Sequence, residues 1–129
     1  MIHVDTHVLV WLRQGRAGKF PEAARQALLG PVRMSPMVEL ELSLLFEIRR
    51  LNERPAALIA ALTPAIDLRV CDAPFGEVTR VAHGLTWTRD PFDRLIAAQA
   101  KLAGVPLLTY DGRMREHCPF AFWDARPDA

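Results

Sequence analysis

The chain predicts an α/β domain whose central, mainly parallel sheet is covered by helices on both faces, and three observations carry that prediction. Short apolar runs such as Ile2-His3-Val4, Val32-Arg33-Met34 and Val105-Pro106-Leu107-Leu108 alternate with longer segments of helical periodicity. Proline, glycine and small polar residues fall where those helices should begin and end. The 129 residues, half hydrophobic and 24% charged, suffice for one core but not for two, so a single domain over 1–129 is expected.

Ile2 to Val4 read as a strand ending at Asp5, after which Val8, Leu9, Trp11 and Leu12 recur at helical spacing. Pro21 and Gly30 bracket a helix over Glu22 to Leu29, and Val32 to Met34 form the next strand. Ser35 is a good N-cap and Pro36 suits a first helical position, so a helix is predicted over Met37 to Leu51. A short helix over Pro55 to Leu62, a strand over Ile66 to Val70 and a helix over Phe75 to Ala82 follow. After a loop from Gly84 to Arg89, Pro91 starts a helix that reaches Ala103 and stops at Gly104. Val105 to Tyr110 form a strand, Gly112 to His117 a short helix or turn, and Phe120 to Trp123 a last strand. The tail from Arg126 to Ala129 should fray.

The formal charge of +1 supplies no overall field for nucleic acid or a membrane surface, so any such argument rests on local clusters. Nearly all the basic residues are Arg, several of them close to acids: Arg89 and Arg94, Arg113 and Arg115. Cys71 and Cys118 match no metal-ligand spacing and are expected as reduced thiols. No apolar run is long enough for a bilayer, and no secretory leader is recognised, so a cytoplasmic protein without a membrane role is expected.

Four stretches place carboxylates at element boundaries: Val4-Asp5-Thr6-His7, Val38-Glu39-Leu40-Glu41, Asp90-Pro91-Phe92-Asp93 and Leu108-Thr109-Tyr110-Asp111. Each acid has a local explanation: Asp5 and Asp90 as helix caps, Asp93 as an acid at the positive end of a helix, Asp111 as a turn residue before Gly112. In an open parallel sheet, however, ligands collect beyond the carboxyl ends of the strands, where strand order reverses. Asp5 and Asp111 lie at two such ends. Independent caps have no reason to gather there, whereas ligands of one cation do. Glu39 and Glu41 lie about 200° apart round a helix, so they cannot share a face, and spacing favours neither.

The segments Val4-Asp5-Thr6-His7-Val8-Leu9-Val10-Trp11, Ser35-Pro36-Met37-Val38-Glu39-Leu40, Asp90-Pro91-Phe92-Asp93-Arg94-Leu95-Ile96-Ala97-Ala98-Gln99-Ala100 and Leu107-Leu108-Thr109-Tyr110-Asp111 resemble the ordered motifs of PIN-domain proteins over nearly the full chain. More narrowly, the chain resembles the VapC toxins of bacterial toxin–antitoxin pairs. The resemblance implies a PIN-like three-layer α/β/α domain and a metal-dependent ribonuclease, with Asp5, Glu39, Asp93 and Asp111 at the acidic positions. It thereby selects Glu39 over Glu41 and leaves Asp90 an auxiliary ligand. Mg²⁺, or Mn²⁺ in its place, is the implied cofactor, consistent with hard oxygen donors. Asp93 or Asp111 would orient the attacking water. Thr6, Thr109, Arg94 and Arg113 are candidates for substrate contact, with the two hydroxyls also able to orient carboxylates. The implied partners are single-stranded RNA, a VapB-like antitoxin and a second copy of the chain.

Two other classes compete. A Mg²⁺-dependent phosphotransfer protein would need an Asp where His7 stands, or a Lys after a late strand, and the lysines are Lys19 and Lys101. A non-catalytic interaction module would use its acids only as caps and dock partners on the apolar helix Leu40 to Ile48.

Overall fold

A computed structural model describes residues 1–127. The strands are β1 (Ile2–Val4), β2 (Val32–Met34), β3 (Leu68–Val70), β4 (Leu107–Leu108) and β5 (Ala121–Phe122). The helices are α1 (Thr6–Arg13), α2 (Glu22–Ala27), α3 (Pro36–Glu47), α4 (Pro55–Ile66), α5 (Phe75–His83), α6 (Pro91–Ala103) and α7 (Gly112–His117), with a short 3₁₀ turn at Ala17–Lys19. The expected fraying of the tail falls, for residues 128–129, outside the described residues.

All four strand pairings are parallel, in the order β3-β2-β1-β4-β5. The chain winds from β1 out to β3, then returns to β4 on the other side of β1 and continues to β5. Strand order therefore reverses between β1 and β4, and a crevice opens beyond their carboxyl ends. Asp5 follows β1 directly, and its N–H donates to the Leu108 carbonyl of β4 at 3.0 Å. The sheet interior is apolar: Ile2, Val4, Val32, Met34, Leu107 and Leu108 have no exposed surface, as a parallel sheet covered on both faces requires.

Element ends follow local chemistry. Ser35 Oγ accepts from the Met37 N–H at 3.1 Å and Pro36 takes the first helical position of α3. That helix ends at Glu47, short of the expected Leu51, because Arg49 turns to φ +63° and the Arg50 N–H reaches back to the Leu45 carbonyl at 2.8 Å. Gly104, at φ +70°, ends α6 in the same way, with the Val105 N–H donating to the Ala100 carbonyl. Helix α4 continues past Leu62 to Ile66, and β3 starts only at Leu68. Asp67, in the left-handed conformation at φ +49°, separates them. Cys71 and Cys118 are free thiols. Among the described residues no helix is long and apolar enough to cross a membrane.

Candidate active site

A cavity of about 340 Å³ lies at the crevice, lined by Asp5, His7, Val8, Trp11, Glu41, Asp90, Asp93, Tyr110 and Asp111. Three helix N-termini deliver its aspartates. Asp5 caps α1, with Oδ1 accepting from the Thr6 N–H at 2.8 Å. Asp90 caps α6, accepting from the Phe92 N–H at 2.8 Å, and Asp111 caps α7, accepting from the Met114 N–H at 3.0 Å. The capping readings are correct, but incomplete. A cap occupies the first position after a strand or loop, so where three helices start at one edge of a sheet their caps share one cleft.

Two threonines hold the acids in place. Thr109 Oγ1 donates to Asp5 Oδ2 at 2.7 Å and accepts from the Asp111 N–H at 3.0 Å, linking the acids after β1 and β4. Thr6 Oγ1 donates to Glu41 Oε1. Both threonines are completely buried, and their hydroxyls orient carboxylates.

The sequence reading placed Glu39 in the site; the structure places Glu41 there instead. Val38 and Leu42 are the fully buried residues of α3 and define its inward stripe. On a helical projection Glu41 and Glu39 lie about 80° to either side of the Val38–Leu42 midline, so the projection alone does not choose between them. The Glu41 side turns toward the start of α1, where Thr6 waits, whereas Glu39 does not line the cleft.

The two arginines expected at the substrate also make contacts within the fold. Arg94 donates through Nε and Nη2 to the Ala82 carbonyl, at 3.2 and 2.9 Å, and through Nη2 to the His83 carbonyl at 3.3 Å. It ties the carboxyl end of α5 to α6, a charged bond of the kind that contributes about 1.5–3 kcal/mol when desolvated. Arg113 donates to the Trp87 carbonyl and lies against the Trp87 ring. Arg94 is half-buried at these carbonyls, whereas Arg113 is exposed and makes a single bond of this kind.

Burial in this partly dry cleft, with like charges adding to it, raises the pKa values of Asp5, Glu41 and Asp93. Burial pushes Asp5 up, opposed by its bonds from Thr109 and Thr6, and burial also raises Glu41, opposed by Thr6. Asp93 is raised from 3.8 to about 7, first by desolvation and then by Asp90, Asp5, Asp111 and Glu41. Asp93 therefore feels the other four carboxylates that line the cavity. Hard oxygen donors with unneutralised negative charge suit a divalent cation such as Mg²⁺ or Mn²⁺. Among the described residues, no three of these side chains are already drawn together as a closed chelate.

Comparison with known families decides what this arrangement belongs to: a model of the PIN domain matches residues 2–118. The chain belongs to the PIN domain family. This PIN domain also superposes on a chain of the crystal structure of VapBC2 from Rickettsia felis bound to a DNA fragment from their promoter. The TM-score is 0.64 at 16% identity, and the match covers 96% of this chain and 100% of that one. No curated protein sequence matches it. Within the PIN domain, sequence reasoning missed Glu41, Trp11 and Tyr110 as lining residues. Tyr110 was legible as the neighbour of Asp111; Trp11, on α1, was legible only as a core residue.

Proposed function

We propose that this PIN domain is the toxin of a VapBC-type pair, a metal-dependent endoribonuclease using Asp5, Glu41, Asp93 and Asp111, with Asp90 as an auxiliary ligand. The observation that carries the reading is the convergence of these acids at the strand-order reversal, in a cavity large enough for an ion and a phosphodiester. Mg²⁺ or Mn²⁺ would be held by Asp5, Glu41 and Asp111, and when bound supplies Lewis-acid charge for a phosphate and acidifies water. Asp5 is fixed at both oxygens by Thr109 and the Thr6 N–H, which presets its direction before substrate arrives. Asp93, on the first turn of α6, faces the other acids and is placed to orient the attacking water and accept its proton. An unpaired RNA strand fits better than a duplex, because an in-line attack needs a splayed backbone.

Asp5→Asn is expected to abolish Mn²⁺-dependent cleavage, by about a thousandfold or more, with the fold retained by circular dichroism. In bacterial cells, expression of the unsubstituted chain should arrest growth and create new RNA 5′ ends, and the variant should do neither. Retained cleavage in Asp5→Asn would end the assignment.

The same reading includes a homodimer and a VapB-like antitoxin that covers the cleft. Leu40, Leu44 and Ile48 are 54, 41 and 51% exposed at successive i, i+4 positions, giving α3 an apolar ridge turned away from its own core. A second copy seated on that ridge would bury it. Sedimentation at micromolar concentration should show a dimer that Leu44→Asp converts to monomer; a monomer in the unsubstituted chain would remove this part of the proposal.

A further inference from the structure

An aromatic cluster borders the acidic cleft and has no part in holding the acids. Trp11 and Tyr110 line the cavity, with ring centroids 5.3 Å apart. Behind them Trp123 lies 6.0 Å from Trp11 and 5.5 Å from Tyr110, and Phe20 lies 6.5 Å from Trp11 and 5.1 Å from Trp123. Trp123 and Phe20 are buried and serve as a rigid backing. Tyr110 is different: it is 53% exposed, although it is the residue between Thr109, which fixes Asp5, and Asp111. All its ring contacts are edge-type, at 68° to Trp11 and 77° to Trp123, so among the described residues no ring lies parallel to it. A solvated aromatic on a rigid support is a platform for a flat ligand.

The charge nearby identifies the class of ligand. Lys19 Nζ sits 3.9 Å from the Trp11 ring centre and 5.7 Å from that of Tyr110, and among the described residues it forms no salt bridge. Arg115 also approaches Tyr110 but is held by the Tyr110 carbonyl at 3.1 Å and by Asp124 at 3.7 Å. Lys19 is thus a cation at this rim that is available to a phosphate. A flat ring, an adjoining anion and a reacting phosphodiester a short distance away are the parts of a single nucleotide.

We infer that Tyr110, backed by Trp11 and Trp123 and flanked by Lys19, stacks the unpaired base next to the bond being cut, with Lys19 on that nucleotide's phosphate. The inference rests on the nuclease reading of the adjoining cleft and adds a base-selecting subsite to it. Stacking at this position explains how an acidic cleft retains RNA, since the base supplies attraction that the carboxylates cannot. It also selects for unpaired nucleotides, because a base inside a duplex has no free face to offer.

The test measures binding rather than cleavage, so that it can fail separately from the nuclease assignment. Asp93→Asn protein in Mn²⁺ is titrated by fluorescence anisotropy with labelled hexaadenylate and with an abasic ribose-phosphate hexamer of equal charge. The base-bearing strand should bind about tenfold or more tightly. Tyr110→Leu should erase that preference and Tyr110→Phe should keep it. Lys19→Gln should weaken both strands alike and reduce the slope of log affinity against log salt by about 0.7. Equal binding of the two strands to the parent, or a preference that survives Tyr110→Leu, would overturn the inference. Absent cleavage by the unsubstituted chain would overturn the nuclease reading alone.

Discussion

Glu41→Gln is expected to slow Mn²⁺-dependent RNA cleavage by on the order of a hundredfold or more, while Glu39→Gln leaves the rate within about twofold. The two glutamates are separated by one residue in sequence and by the width of a helix in space. Glu41 lies on the cavity, accepts from the buried Thr6 hydroxyl and is electrostatically coupled to Asp5 and Asp90. Gln retains an oxygen for Thr6, so the substitution removes charge and keeps the packing. Cleavage rates at saturating Mn²⁺ for the two variants decide the matter. A larger loss in Glu39→Gln would return the fourth acid to the position the motif resemblance chose.

The second large effect is on stability without metal. Asp93 has its pKa raised to about 7 in the folded chain, chiefly by desolvation and then by Asp90, Asp5, Asp111 and Glu41. The folded state thus keeps a proton that the unfolded chain releases near 3.8. Its contribution to stability is complete below about pH 4 and is lost as pH rises toward and through 7. Because Asp93 is only half-buried, solvent screening reduces the expected loss to about 1–2 kcal/mol. Asp5 and Glu41, both raised, act in the same direction. Urea unfolding in EDTA should therefore show the parent weakening between about pH 4 and 7, and Asp93→Asn should be the more stable chain at pH 8 with little difference at pH 4. Mn²⁺ should restore the parent at pH 8, since a ligand that binds only the folded state stabilises it by mass action. A metal-free parent whose stability matches Asp93→Asn across this range would exclude the coupled-acid description.

The order of elements, the caps at Asp5, Ser35 and Asp90 and the stop at Gly104 were legible in the sequence, because each depends on hydrogen bonds spanning only a few residues. The meeting of Asp5 with Asp111 was foreseeable once both were placed at strand ends, although the strand order itself is not a local property. The contacts of Arg94 and Arg113 were hidden for the opposite reason. A guanidinium beside an acid in sequence reads as a phosphate ligand, and only the packing of α5 on α6 and the course of the Trp87 loop revealed the carbonyls to which they donate.

The sequence alone determined an α/β domain with helix-capping acids at one edge of its sheet, since alternation, caps and breakers act over one or two turns. Tertiary structure decided which acids form the cleft. The rotation of α3 about its own axis is set by Val38 and Leu42 seating in the core, and apolar neighbours on both sides of that stripe hid its direction from the sequence pattern. It also decided that Tyr110 stands half in solvent beside Asp111, a matter of how Trp11, Trp123 and Phe20 pack beneath it. Side-chain phase and support belong to contacts between distant segments, and local spacing does not carry them.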